Sequence, residues 1–195
     1  PVEFDEVLAD YRALLAELPE IGDPSIVVPL DAARHPLVAR TYKRPIHIDR
    51  QPAPPGPLIN PQLDVEDIER RYLEARPSVV AVDGLLTRQA LQALRRFCLE
   101  STIWSNIKAG YLGAYFYDGF CSELLLSLAY ELRERLRGVI RGLPLQMMWG
   151  YKCESRLPGL GVHADEAAVN VNFWVTEDQA NLDLERWFRQ PKGHE

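Results

Sequence analysis

The sequence has little cysteine, little histidine, no long apolar run and no excess of positive charge. Three cysteines in 195 residues, Cys98, Cys121 and Cys153, form no close pair. An odd number at wide spacing excludes a disulfide framework and a zinc ribbon, and it suits a reducing, cytoplasmic setting. Each is read as a small core residue. No apolar stretch reaches the roughly 20 residues that crossing a bilayer requires. No charged-then-apolar leader opens the sequence given, so no membrane partner is expected. Net charge is −6, and basic runs such as Arg133–Arg137 are interrupted by acids. Nothing therefore marks a nucleic-acid surface. With four histidines in all, candidates for a metal site are few.

Proline, in contrast, is crowded into one region. Nine of the 15 prolines lie between Gly22 and Gln62, which argues against long regular elements there. Only short strands are expected in it, at Ser25–Leu30 and Ile46–Ile48. His35 and His47 fall in this stretch without a partner at metal-ligand spacing, and His47 should face solvent from its short strand. Ahead of it, Phe4, Val7, Leu8, Tyr11, Leu14, Leu15 and Leu18 recur at helical spacing and predict an amphipathic helix from Val2 to Leu18, ended by Pro19 and Gly22. Behind it, Asp64 caps a predicted helix through Glu74. Ser78–Val82 reads as a strand, and Thr87 caps a helix over Arg88–Glu100 with an apolar stripe of Leu91, Leu94 and Cys98. Thr102–Phe120, rich in aromatics and hinged by glycines, reads as one or two strands with a loop. Its aromatics can line a substrate mouth or make core contacts. Ser122 caps a helix to about Arg137, and Leu145–Cys153 reads as a strand.

That strand leads into the stretch that organises the chain, Arg156 to Val175. It opens with a Gly/Pro turn, Leu157-Pro-Gly-Leu-Gly161. His163 and Asp165 follow two positions apart, a spacing that in an extended chain sends both side chains to one face. An imidazole and a carboxylate sharing one space suit a divalent metal, because the ion neutralises the carboxylate and offsets its desolvation. Then Val169, Val171, Phe173 and Val175 alternate with Asn170, Asn172 and Trp174, the period of a strand.

On these residues a resemblance rests. Tyr151-Lys152 through Asp183, with Arg156-Leu-Pro-Gly-Leu-Gly-Val-His-Ala-Asp165 and Ala168-Val-Asn-Val-Asn-Phe-Trp-Val-Thr176, resembles the iron- and 2-oxoglutarate-dependent dioxygenases. The nearest likeness is to bacterial domains that often follow tetratricopeptide repeats, relatives of the prolyl hydroxylases. It extends upstream through Val82-Asp-Gly-Leu-Leu-Thr87, Arg95 to Trp104 and Gly113-Ala-Tyr-Phe116. The resemblance implies an α+β chain with a double-stranded β-helix (jelly-roll) core and packed N-terminal helices. It implies Fe(II) held by His163 and Asp165, 2-oxoglutarate as cosubstrate, and hydroxylation of a small-molecule or peptide substrate coupled to formation of succinate. By the same likeness Tyr151 touches 2-oxoglutarate, the alternative being a core or surface tyrosine. Asn170 and Asn172, on the strand after the ligands, face either cosubstrate or substrate, or solvent on the outer sheet face.

The family pattern also requires a second ligand histidine and then a basic residue, each on a later strand. Here the likeness fades after Asp183. His194 lies too close behind to leave room for the intervening strands, and no arginine follows it. We therefore expect an incomplete jelly roll, and the opening at Pro1 leads us to expect a piece of a longer chain. The expected organisation is an N-terminal helix over 1–20, a Pro-rich irregular connector over 21–63, the jelly-roll domain over 64–183 and a divergent tail over 184–195. The alternative to an enzyme is a structural or protein-interaction module, dimerising through an open sheet edge.

Overall fold

The structure, a computed structural model, describes residues 2–18, 27–108, 110–153 and 165–180. It is α+β: helices packed with a small antiparallel sheet. None of the described helices is long and apolar enough to cross a membrane.

Helix α1 (Val2–Glu17) forms where the apolar periodicity places it. Its stripe is less buried than expected, however: Val7 is buried, but Leu8 and Leu15 are 47% and 65% exposed. Helix α2 (Pro36–Thr41) was not anticipated in the Pro-rich stretch. Pro36 opens it, at the position where a missing N–H costs nothing and a fixed φ helps. The next two donors, Leu37 N–H and Val38 N–H, are taken by Asp10 Oδ2 at 2.8 and 3.0 Å. A distant carboxylate thus completes a helix too short to be read from local pattern.

Three capped helices follow the sequence closely. In α3 (Val65–Glu74), Asp64 accepts from Asp67 N–H at 2.9 Å. In α4 (Arg88–Glu100), Thr87 accepts from Ala90 N–H at 3.3 Å. In α5 (Glu123–Arg135), Ser122 accepts from Leu125 N–H at 3.3 Å. Each cap satisfies a donor that the first turn would otherwise leave unpaired. A short α6 (Arg137–Ile140) ends the helical part, before β3.

The sheet has three strands in the order β1-β2-β3 among the described residues: β1 (Asn106–Lys108), β2 (Tyr111–Tyr115) and β3 (Trp149–Cys153), all antiparallel. The first two form a hairpin within the aromatic stretch, where one or two strands with a loop are expected. The third is the end of the predicted strand Leu145–Cys153. Pairing matches Gly113 with Tyr151 and Ala114 with Gly150, so Leu112, Ala114, Gly150 and Lys152 share one face. That face meets the core. Ala114 is buried, and Phe97 and Phe120 meet edge to face beneath it, ring centres 5.8 Å apart. Leu94 of α4 and Leu124 and Leu128 of α5 fill the other side. At Gly150 the approach is so close that a Cβ would lie 2.7 Å from the Phe120 ring.

Residues of the Pro-rich stretch join this core. Leu58 and Ile59 are buried in it, and their backbone N–H groups donate to the Glu131 carboxylate of α5 at 2.7 and 3.0 Å. Asp49, also buried, pairs with Arg96 of α4 at 3.1 Å.

Four strand expectations are corrected. Residues 46–48 are irregular, and His47 is exposed there without a strand; residues 27–30 are irregular as well, 25–26 lying outside the described part. Ser78–Val82 forms no strand, and Val79 is 71% exposed. An apolar run without a pairing partner does not decide its own conformation. Residues 169–175 also make no ladder. Their alternation survives only as burial: Val169, Phe173 and Val175 pack against the core, while Asn170, Asn172 and Trp174 are exposed and Val171 is 38% exposed. The cysteines are free. Cys98 is mostly covered and its thiol is pushed up to about 11 by burial, but Cys153 is exposed rather than a core residue.

The contact of Gly150 with Phe120 predicts that Gly150→Ala overpacks the sheet–helix interface. We expect a loss of about 1–3 kcal/mol of stability, against about 3–5 kcal/mol for the cavity left by Phe97→Ala, both read from urea denaturation midpoints.

Candidate functional site

With one face sealed on the core, the sheet offers its other face as a platform. Residues two apart on a strand share a face, and paired residues on antiparallel neighbours share it too. Tyr111, Gly113 and Tyr115 of β2 therefore stand with Trp149, Tyr151 and Cys153 of β3. Gly113 sits directly opposite Tyr151. Tyr111 and Tyr115 flank it on the same face. Tyr111 meets the Tyr151 ring edge to face at 5.1 Å, as diagonal neighbours across a pair can. Tyr115 also acts on the Tyr151 phenol, and stacks on Tyr117 with ring centres 5.7 Å apart.

Asp165 joins this platform from the later segment. It is half-buried, and its charge acts on Tyr151. Tyr151 is pushed up to about 12, chiefly by burial, then by Tyr115 and Tyr111, with Asp165 adding to the rise. All of these disfavour the phenolate, so Tyr151 remains a protonated donor far above neutral pH. Asn170 Nδ2 donates to Asp165 Oδ2 at 3.3 Å. The platform thus carries a phenol donor and a carboxylate acceptor in one neighbourhood, beside a wall of aromatic rings.

Of the residues singled out from the sequence, Tyr151, Asp165 and Asn170 are brought together. Asn172 is exposed two residues further on. His163 lies outside the described residues, as does His194. Among the described residues no three His, Cys, Asp or Glu side chains group as a metal site.

No family model, curated protein or solved structure matches this chain.

Three further residues contribute to the site. Tyr111 and Tyr115 belong to the aromatic stretch, and the Tyr-x-Gly-x-Tyr alternation was the available signal that both face one way. Arg95 carried no such signal. It projects from α4, donates through Nε to the Val175 carbonyl, and pairs with Glu177 at 3.5 Å. Together with the packing of Val169, Phe173 and Val175, this fixes the segment bearing Asp165 and Asn170 against the body of the protein.

Arg95→Met keeps most of the aliphatic stem and removes the donor. With Arg95 partly exposed, we expect a modest stability loss of about 1 kcal/mol. The sharper outcome is local: hydrogen exchange and proteolytic cleavage should increase within residues 165–180 while α4 and α5 keep their protection.

Proposed function

We propose that this chain is an iron- and 2-oxoglutarate-dependent dioxygenase, or part of one, built on a double-stranded β-helix of which β1, β2 and β3 are a portion. The observation that carries the reading is the position of Asp165. Its charge reaches Tyr151, and Asn170 holds it by a hydrogen bond. A half-buried carboxylate next to a phenol that stays protonated suits both parts of the cofactor set: the carboxylate for a divalent cation, the phenol for a carboxylate of the cosubstrate.

His163 and Asp165 would hold the iron. When bound, Fe(II) with 2-oxoglutarate supplies oxidation of an unactivated C–H bond by dioxygen. The remaining work belongs to side chains of this chain. Tyr151 would donate its phenolic proton in a hydrogen bond to a 2-oxoglutarate carboxylate oxygen. Asn170 would hold Asp165 in one orientation, as outer partners of metal ligands do. Tyr111 and Tyr115 would keep Tyr151 upright and exclude water from the cosubstrate. Asn172, exposed on the same segment, would meet the substrate, a small molecule or a peptide.

A second reading has an observation in its favour. Residues 169–175 pair with no strand, and β3 ends the described sheet. An unpaired edge of this kind suits an interaction module that assembles as a homodimer by edge pairing.

The test is turnover without added substrate. Purified protein given Fe(II), ascorbate and 2-oxoglutarate should release succinate, falling to background in His163→Ala and Asp165→Ala. Tyr151→Phe should raise the KM for 2-oxoglutarate about tenfold, the loss of one hydrogen bond to a charged group. Absence of succinate from a well-folded dimer would favour the interaction module.

A further inference from the structure

Helices α1 and α2 meet at a junction where Val7 and Val38 are buried and Phe4, Tyr11, Leu14 and Leu37 are partly buried. Val7 is the buried hydrophobic residue α1 brings to it, and Leu8 and Leu15 point to solvent. The centre of the junction is His35, the residue just before α2, only 3% exposed. Its Nδ1 lies 2.9 Å from Asp10 Oδ1 and its Nε2 lies 3.2 Å from Glu17 Oε2. Asp10 and Glu17 are separated by two helical turns and so share one face of α1. They grip the ring from opposite ends.

A carboxylate at each ring nitrogen requires an N–H at each, and only the imidazolium has both. A neutral ring, itself only 3% exposed, would turn a lone pair toward one carboxylate. The same two acids tie the rest of the junction. Asp10 Oδ2 takes the first free donors of α2, Leu37 and Val38. Glu17 Oε1 pairs with Arg34 at 2.8 Å. Asp31 folds the turn before His35 by accepting from Ala33 and Arg34 N–H. Tyr11 accepts from Thr41 at 3.4 Å, and Phe4 meets the His47 ring edge to face at 6.3 Å. Arg40 is the remaining charged residue of α2.

We propose that α1 is clasped onto α2 through protonated His35, and that it detaches when this imidazole loses its proton. The hydrogen bond to Asp10 raises the His35 pKa most; burial opposes it, and Glu17 adds to the rise, leaving it above the usual 6.5. A raised folded value means that the clasp is fully formed below 6.5 and is lost as pH climbs through the raised value. Burial works to raise Asp10, but Val38 N–H, His35 and Leu37 N–H outweigh it and hold the carboxyl below its usual 3.8. That contribution is fully present above 3.8 and is lost as pH falls through the lowered value. The clasp is therefore whole in mildly acidic solution and opens on the alkaline side. Opening uncovers Val38, now 1% exposed, and frees a 16-residue amphipathic helix for another surface.

Hydrogen exchange of the full chain, corrected for the intrinsic pH dependence of amide exchange, tests this with the NMR titration of the His35 ring. Between about pH 6 and about pH 9, protection of residues 2–17 should fall at least about tenfold, at the midpoint of the His35 titration, while α4 and α5 keep theirs. In His35→Gln, α1 should be unprotected at both values. Constant protection of α1 in the native chain would overturn the proposal. So would the same pH-dependent loss in His35→Gln, or a His35 ring that titrates at or below 6.5. If His35→Gln fails to fold, Asp10→Asn and the native titration decide, because the midpoint must coincide with that of His35.

Discussion

The contact of the sheet with Phe97 and Phe120 is the constraint on which the site depends. Ala114 and Gly150 are small and bring the sheet's inner face down onto these rings. Such close packing has no tolerance for added volume, so the sheet has one position over α4 and α5. Its outer face is then presented at a fixed height and tilt. The absence of a side chain at Gly150 lets the sheet reach the core. A rigid platform of this kind is what a site needs to hold a phenol and a carboxylate in register.

The periphery is held by different physics. The core relies on apolar burial, which is non-directional and insensitive to pH near neutrality. The attachment of α1 relies on hydrogen bonds from a buried imidazolium to two acids, which is directional and depends on one proton. Between these extremes lies the segment 165–180, anchored by a few apolar side chains and by Arg95. The three parts thus differ in what loosens them: cavity or overpacking for the core, proton loss for α1, and removal of one guanidinium for the segment that carries Asp165.

What was legible in the sequence follows from which interactions are local. The caps Asp64, Thr87 and Ser122 act within one turn of themselves, and the helices they start were read nearly to the residue. In the stretch that forms the hairpin over 106–115, glycines and aromatics mark one or two strands with a loop, but not their pairing. Helix α2 was not, since its start is completed by Asp10, 26 residues before Pro36 (36 − 10). Ser78–Val82 misled because an apolar run resembles a strand whether or not a partner exists. Of the site, Tyr151, Asp165 and Asn170 were named from motif and likeness. Arg95 acts through contacts between elements far apart in the chain, which no local pattern encodes. His35 was passed over because only the fold places two acids against it.

Metal binding tests the central claim most directly, because it asks about the platform itself and not about turnover. Mn(II), titrated anaerobically into the protein with 2-oxoglutarate present and followed by electron paramagnetic resonance, should saturate at one ion per chain. Asp165→Ala should abolish that binding, and Tyr151→Phe should weaken the effect of 2-oxoglutarate upon it. Binding that Asp165→Ala leaves unchanged, or no binding at millimolar metal by the folded protein, would contradict the account.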